Sequence, residues 1–215
     1  MVLKDNYSEE DWSNEDSPIV TPYYKSKTLA ERAAWNFVEE LPEDEKFELV
    51  TINPSLIMGP TKVADGFSSG KILQMVMNRE FPSSPKVYFG LVDVRDTAEA
   101  HLKAITVSEA ANKRFILCAE TLKFGQIAEK LSSEFSPDYR LPEGDLGYCM
   151  IYIGSWFDRG AADMAKQWDW SKTYDNSRSR EILGINYRPS KDSLIEMAHA
   201  MIDSGIIEDK RTEKK

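Results

Sequence analysis

A chain of 215 residues with 27 Lys+Arg against 36 Asp+Glu has a formal charge of −9, and 41% of it is hydrophobic. That composition belongs to a packed domain with one core, and its acidity argues against nucleic acid or anionic membranes as partners. No run approaches the roughly 20 consecutive apolar residues of a membrane helix, and the acidic start lacks the basic and apolar regions of a signal peptide, so a cytoplasmic protein is expected.

Residues 1–20, rich in Ser, Asp, Glu and Asn, show no apolar period and read as a surface loop. From Thr21 the pattern changes. Thr21 suits an N-cap with Pro22 in the first helical position, and Leu29, Ala30, Ala33, Ala34, Phe37 and Val38 recur at three- and four-residue steps. A helix over 22–40 follows, and its alanines leave room for a second helix, either in the core or in a homodimer. Residues 47–52 predict a buried strand stopped by Asn53-Pro54, with 55–58 a loop leading to Gly59-Pro60. A helix is predicted over 67–79 and a strand over 87–89. Asp96-Thr97-Ala98-Glu99 has the pattern of a capping box, with Asp93 a turn residue and Ala98, Leu102 and Ile105 the inward face of the helix that follows. Next come a strand over 114–118, an amphipathic helix over 124–135 and a last helix carrying Leu194, Ala198 and Met201 that Gly205 ends. Nothing is assigned within 136–176. Strands alternating with helices predict an α/β layered fold.

Few residues offer chemistry. Cys118 and Cys149 lie in apolar surroundings and read as two free core thiols. With only His101 and His199, a His/Cys metal site is not expected. Glu31, four residues after Lys27, is placed to pair with it across one helical turn. Tyr23 and Lys27 are also four apart and share a helix face. A phenol titrates near ~10 and is a poor acid at neutral pH, but a nearby ammonium favours the phenolate; a shift of ~3 units needs roughly 4 kcal/mol. A lysine, a cationic nicotinamide and a dry site together could supply that.

The stretch Thr-Pro-Tyr-Tyr-Lys-Ser-Lys-Thr-Leu-Ala-Glu-Arg-Ala-Ala-Trp, residues 21–35, resembles the active-site helix of the extended short-chain dehydrogenases/reductases, in the branch of dihydroflavonol, cinnamoyl-CoA and fungal methylglyoxal reductases. Three further blocks agree in order: Asn53-Pro54-Ser55-Leu56-Ile57-Met58-Gly59-Pro60, Val92-Asp93-Val94-Arg95-Asp96-Thr97-Ala98-Glu99-Ala100-His101, and Asp175-Asn176-Ser177-Arg178 followed by Leu183-Gly184 and Tyr187-Arg188-Pro189. The resemblance implies that Tyr23 donates a proton to a carbonyl oxygen during hydride transfer, and that Lys27 holds the nicotinamide ribose. It also implies that the Pro54 and Leu56 backbone lines the nicotinamide, and that Ser69, or Ser68 one residue earlier, lies near the cofactor phosphate. The implied cofactor is NADP, with NAD left open, and the implied substrate a small carbonyl compound. Met58, Phe67, Met75 and Tyr88 are the expected apolar lining.

The family's glycine-rich Gly-x-x-Gly-x-x-Gly turn, where a helix N-terminus takes the pyrophosphate, has no counterpart in these residues. The resemblance therefore implies an incomplete parallel Rossmann sheet: a loop over 1–20, the catalytic helix and remaining sheet elements over 21–118 with a substrate-part insertion near 61–86, and a mainly substrate-binding part over 119–215. Such a remnant is expected to expose a strand edge and to bind NADPH weakly or not at all by itself. A sugar-nucleotide epimerase or hydroxysteroid dehydrogenase of the same superfamily, and a catalytically silent binding fragment, are the alternative readings.

Overall fold

A computed structural model describes residues 4–61, 68–157 and 159–211, the side chains of Ser68 and Arg159 apart. In chain order the elements are β1 (Asn6–Tyr7), α1 (Pro22–Glu40), β2 (Thr51–Pro54), β3 (Leu56–Met58), α2 (Ser68–Met77), β4 (Tyr88–Asp93), α3 (Val94–Thr106), β5 (Arg114–Leu117), β6 (Glu120–Lys123), α4 (Phe124–Phe135), α5 (Tyr148–Gly154), α6 (Arg159–Lys166), β7 (Thr173–Tyr174), α7 (Ser177–Glu181) and α8 (Ser190–Asp203). The strands form three small sheets, mostly parallel, as an α/β fold of partial Rossmann type requires.

Strands β2 and β5 run parallel with Thr51 opposite Arg114 and Pro54 opposite Leu117. One residue later the chain changes sheet. Ser55 donates its N–H to Leu117 O, and Leu56 then opens β3 opposite Leu91 of β4. The stretch over 55–58 is therefore a strand and not a loop: its Leu, Ile and Met are half-buried or buried between layers, and the Asn-Pro breaker only shifts the pairing. On the other side β4 pairs antiparallel with β6. The main core lies between this sheet and helices α2, α4 and α8, with Leu73, Leu91, Phe124, Ile127, Leu131 and Met201 fully buried. A smaller core joins Phe115 and Leu117 of β5 to Val92, Ala100, Leu183 and Ile185. Met58 and Met75 belong to the main core, so they do not line a substrate site; Tyr88 is half-buried and Phe67 lies outside the described residues.

Three readings of the sequence are corrected by burial. Helix α3 begins two residues before its expected box, because Asp93 caps it by accepting from Arg95 N at 2.7 Å. Asp96 instead points inward and accepts from Arg188 N at 2.8 Å, which ties α3 to the segment before α8. The inward face is Asp96, Thr97 and Ala100, while Leu102 and Ile105 stand 62% and 85% exposed. Periodicity located the stripe but not its direction, since the opposite face buries polar groups that are paired. Cys118 is buried as expected, whereas Cys149 sits exposed on α5 beside the exposed Tyr148 and Met150.

The opening segment is anchored, not loose. β1 pairs parallel with β7, and Glu9, only 4% exposed, accepts from Ile116 N of β5 at 3.0 Å. A carboxylate thus satisfies part of a strand that the sequence predicted to have an open edge. Among the described residues no helix is long and apolar enough to cross a membrane, and no cluster of His, Cys, Asp or Glu could hold a metal ion.

Candidate active site

Helix α1 starts as its sequence dictates. Thr21 accepts from Tyr24 N at 3.4 Å, and Pro22 occupies the first turn, where its missing N–H costs nothing. Tyr23 and Lys27 then fall on one face, with Lys27 Nζ 5.6 Å from the centroid of the Tyr23 ring. Tyr23 is 60% exposed, and neither side chain is tied to another described residue by a hydrogen bond or an ion pair. A phenol and a cation are thus juxtaposed, free and open to a ligand.

Beneath them lies a floor of small and aromatic groups. Tyr24 stacks edge-on against Tyr23 at 5.7 Å. Tyr24 is itself 49% exposed, yet its local surroundings push the phenol up, with Tyr23 and Asp163 of α6 adding repulsion to the effect of burial. Tyr174 of β7 is pushed up by burial as well. Gly90 leaves it room: a Cβ there would lie 2.9 Å from Tyr174 Cε2, 3.0 Å from Cys118 Sγ and 3.1 Å from Ser55 Cβ. Ser55 follows β2 and Cys118 follows β5, so this floor is at the carboxyl ends of parallel strands, where open α/β sheets bind ligands.

Glu31 holds α1 on that floor. It does not pair with Lys27. Its carboxylate accepts from Thr51 Oγ1 at 2.9 Å, Asn53 Nδ2 at 2.9 Å and Arg114 Nε at 2.7 Å, bridging both strands of the β2–β5 sheet. Burial alone would raise its pKa, but the Arg114 guanidinium and the Thr51 hydroxyl outweigh that and hold it below the usual carboxylate range. Arg114 also sits over Trp12, its guanidinium carbon 3.9 Å from the ring centroid, and donates to the Glu9 carbonyl. Spacing to Lys27 drew attention to Glu31; nothing in the local sequence identifies Arg114 as its partner, 83 residues away.

The remaining site residues are less concentrated. Pro54 ends β2 in an exposed position, close in sequence to two buried oxygens without partners, Asn53 Oδ1 and Ser55 Oγ. The Leu56 side chain packs against the main core, which leaves only its backbone for a ligand. Ser69 is half-buried in the first turn of α2, on a different element and sheet layer from Tyr23 and Lys27. Neither of the two cavities described is lined by Tyr23 or Lys27: the larger, about 860 Å³, opens beside Lys123, Arg140 and Asp145, and the smaller, about 260 Å³, beside Trp12 and Arg178. The geometry of α1, not cavity size, marks the site.

The chain thus carries a Tyr-x-x-x-Lys pair on α1 of a partial Rossmann fold, and comparison with known proteins bears on what that arrangement is. No family model matches the chain. A ketoreductase of Aspergillus niger is 31% identical over 202 residues, 85% of this chain and 51% of the ketoreductase. The NADPH-dependent methylglyoxal reductase of Saccharomyces cerevisiae is 27% identical over 198 residues, 89% of this chain and 54% of the reductase. Among solved structures, Gre2 of Candida albicans in complex with NADPH superposes with a TM-score of 0.68 at 28% identity, covering 93% of this chain and 58% of Gre2. The chain spans about half the length of the curated relatives it matches. It belongs to the extended short-chain dehydrogenases/reductases, on the branch of the dihydroflavonol, cinnamoyl-CoA and Gre2-type reductases, and corresponds to part of their length.

Proposed function

We propose that this chain carries the proton-donating and substrate-side part of an NADPH-dependent carbonyl reductase. The observation that carries the reading is the Tyr23–Lys27 pair, 5.6 Å from cation to ring centroid and open to solvent above the strand ends. Tyr23 Oη gives its proton to the carbonyl oxygen as that oxygen gains negative charge. The adjacent Lys27 ammonium stabilises the phenolate left behind and takes the ribose hydroxyls of the nicotinamide half. When bound, NADPH supplies the hydride to the carbonyl carbon. Asn53 Oδ1 fits that end of the cofactor, because a buried oxygen without a donor costs about 1–3 kcal/mol and a ligand donor would recover it. Ser69 is assigned to the phosphate by resemblance alone.

The reading is tested by joining the glycine-rich half of the yeast methylglyoxal reductase to the N-terminus of the chain and following NADPH oxidation with methylglyoxal and a panel of ketones. Carbonyl-dependent oxidation is expected; NADPH binding without any turnover would favour the silent binding fragment. For the chain alone, calorimetric titration is expected to find NADPH affinity weaker than micromolar, and a micromolar dissociation constant would contradict the account. A homodimer through α1 is part of the same proposal. Leu29 and Phe37 are 45% and 59% exposed on its outer side. Phe37→Glu is expected to shift sedimentation from dimer to monomer; wild type sedimenting as a monomer would remove the proposal.

A further inference from the structure

Lys172 stands out among the described lysines because it is partly buried and every described group that holds its ammonium is neutral. It precedes β7 and is half-buried. Its Nζ donates to Gln167 Oε1 at 3.0 Å and lies 4.6 Å from the centroid of the Trp170 ring. It forms no ion pair with any described residue. Most other lysines of the chain either pair with a carboxylate, as Lys4, Lys86, Lys123 and Lys130 do, or lie exposed in water, as Lys71 and Lys191 do.

An ammonium stripped of water and given one amide oxygen and a ring face has lost more than it has gained, so the balance shifts toward the neutral amine. Burial accordingly pulls the Lys172 amine down to about 8. At pH 7 about one-tenth of such an amine is neutral, against well under ~0.1% for a lysine titrating near 10.4. The free amine, not the ammonium, is the nucleophile.

We propose that Lys172 is a covalent capture site for small aldehydes, formed by Gln167 and Trp170 and independent of Tyr23. The amine lone pair bonds to the carbonyl carbon while the C=O π pair moves to oxygen. The two nitrogen protons then leave with that oxygen as water, and a C=N bond remains. No oxidant or reductant is needed. Partial burial fits a small, uncharged aldehyde better than a bulky acyl donor. Trp170 covers one face of the amine without neutralising it, and Gln167 orients it.

The test is reductive trapping on the full chain at pH 7: formaldehyde forms the imine, cyanoborohydride reduces it, and peptide mass spectrometry follows methylation of each lysine with time. Lys172 is expected to react at least tenfold faster than Lys71 and Lys191, and the advantage should vanish in denaturant. Gln167→Glu puts a carboxylate where the amide oxygen was; with the fold checked by circular dichroism, it is expected to bring Lys172 down to the rate of Lys71. A wild-type Lys172 within twofold of the exposed lysines overturns the proposal. So does an advantage that survives Gln167→Glu, since that reactivity would not be set by the missing counter-charge.

Discussion

Replacing Tyr23 with Phe is expected to lower carbonyl reduction by about 10²–10⁴-fold, the range for loss of a positioned general acid, in the polypeptide completed by the glycine-rich half. The substitution removes one oxygen and leaves the ring. Because that hydroxyl is exposed and tied to no described residue, thermal unfolding should stay within roughly 0.5 kcal/mol of wild type, as for other surface changes. Loss of rate with retained stability separates a chemical role from a structural one. Tyr24→Phe serves as the control. Its phenol is within electrostatic reach of Tyr174 and Asp163, and it lies three, not four, residues before Lys27. Its removal is expected to change the rate by less than tenfold. Stopped-flow measurement of the NADPH oxidation rate at saturating carbonyl reads both variants.

Glu31→Ala is expected to be the most damaging single change around the site, destabilising by about 2–4 kcal/mol. The loss has two parts: the five hydrogen bonds that Glu31 accepts from Trp35, Thr51, Asn53 and Arg114 disappear, and Arg114 remains partly buried with its charge unopposed. For a domain of this size that corresponds to a fall of roughly 4–16 °C in melting temperature. Glu31→Gln keeps the shape and part of the hydrogen bonding, so it should cost less. Its pH dependence carries the sign. A carboxyl held below its usual value in the folded state contributes stability that is complete above the unfolded value near ~4.3 and is lost as pH falls through the lower folded one. The gap between wild type and Glu31→Gln should therefore be constant near neutrality and close below about pH 4. Chemical denaturation followed by tryptophan fluorescence at several pH values measures it.

Glu31 also shows where sequence reasoning stops. The helix that carries it was legible to the residue, because Thr21, Pro22 and a regular apolar period act locally. Helix α4 was legible for the same reason. What the period could not tell was which side of α1 is inside. Only Thr28 is buried on that helix, and the stripe through Leu29 and Phe37 faces outward. Burial there is set by partners distant in sequence, with Glu31 reaching Arg114, Thr51 and Asn53. The same reason hid β6 and the short strands β1 and β7, which depend on β4 and on each other for definition and carry almost no pattern of their own. Helices α5 and α6 were missed because the aromatic residues on α5 and in the turn after it do not face one core: Tyr152, Trp156 and Phe157 are exposed while Ile151 and Met164 are buried.

The Tyr23–Lys27 pair was legible as a spacing, and its meaning came from the ordered blocks around it. The structure adds that the pair is free of hydrogen bonds and ion pairs to other described residues, while Glu31, Gly90, Tyr174 and the ends of β2 and β5 build the floor below. Gly90 illustrates why that floor could not be read ahead. Its requirement is a contact of three elements, Tyr174 after α6, Cys118 after β5 and Ser55 after β2, within 3.1 Å of one absent methyl. A glycine between Phe89 and Leu91 in a strand otherwise signals only a weak point or a close approach.

The most direct measurement follows deuterium from NADPH deuterated at nicotinamide C4 into the reduced carbonyl compound, using the completed polypeptide and its Tyr23→Phe variant under equal NADPH occupancy. The account predicts deuterium at the new carbinol carbon with Tyr23 present, and at least a hundredfold less product with the variant, as expected from loss of the acid. Equal deuterium incorporation by both would mean that the proton comes from elsewhere, and the assignment of Tyr23 and Lys27 would fall.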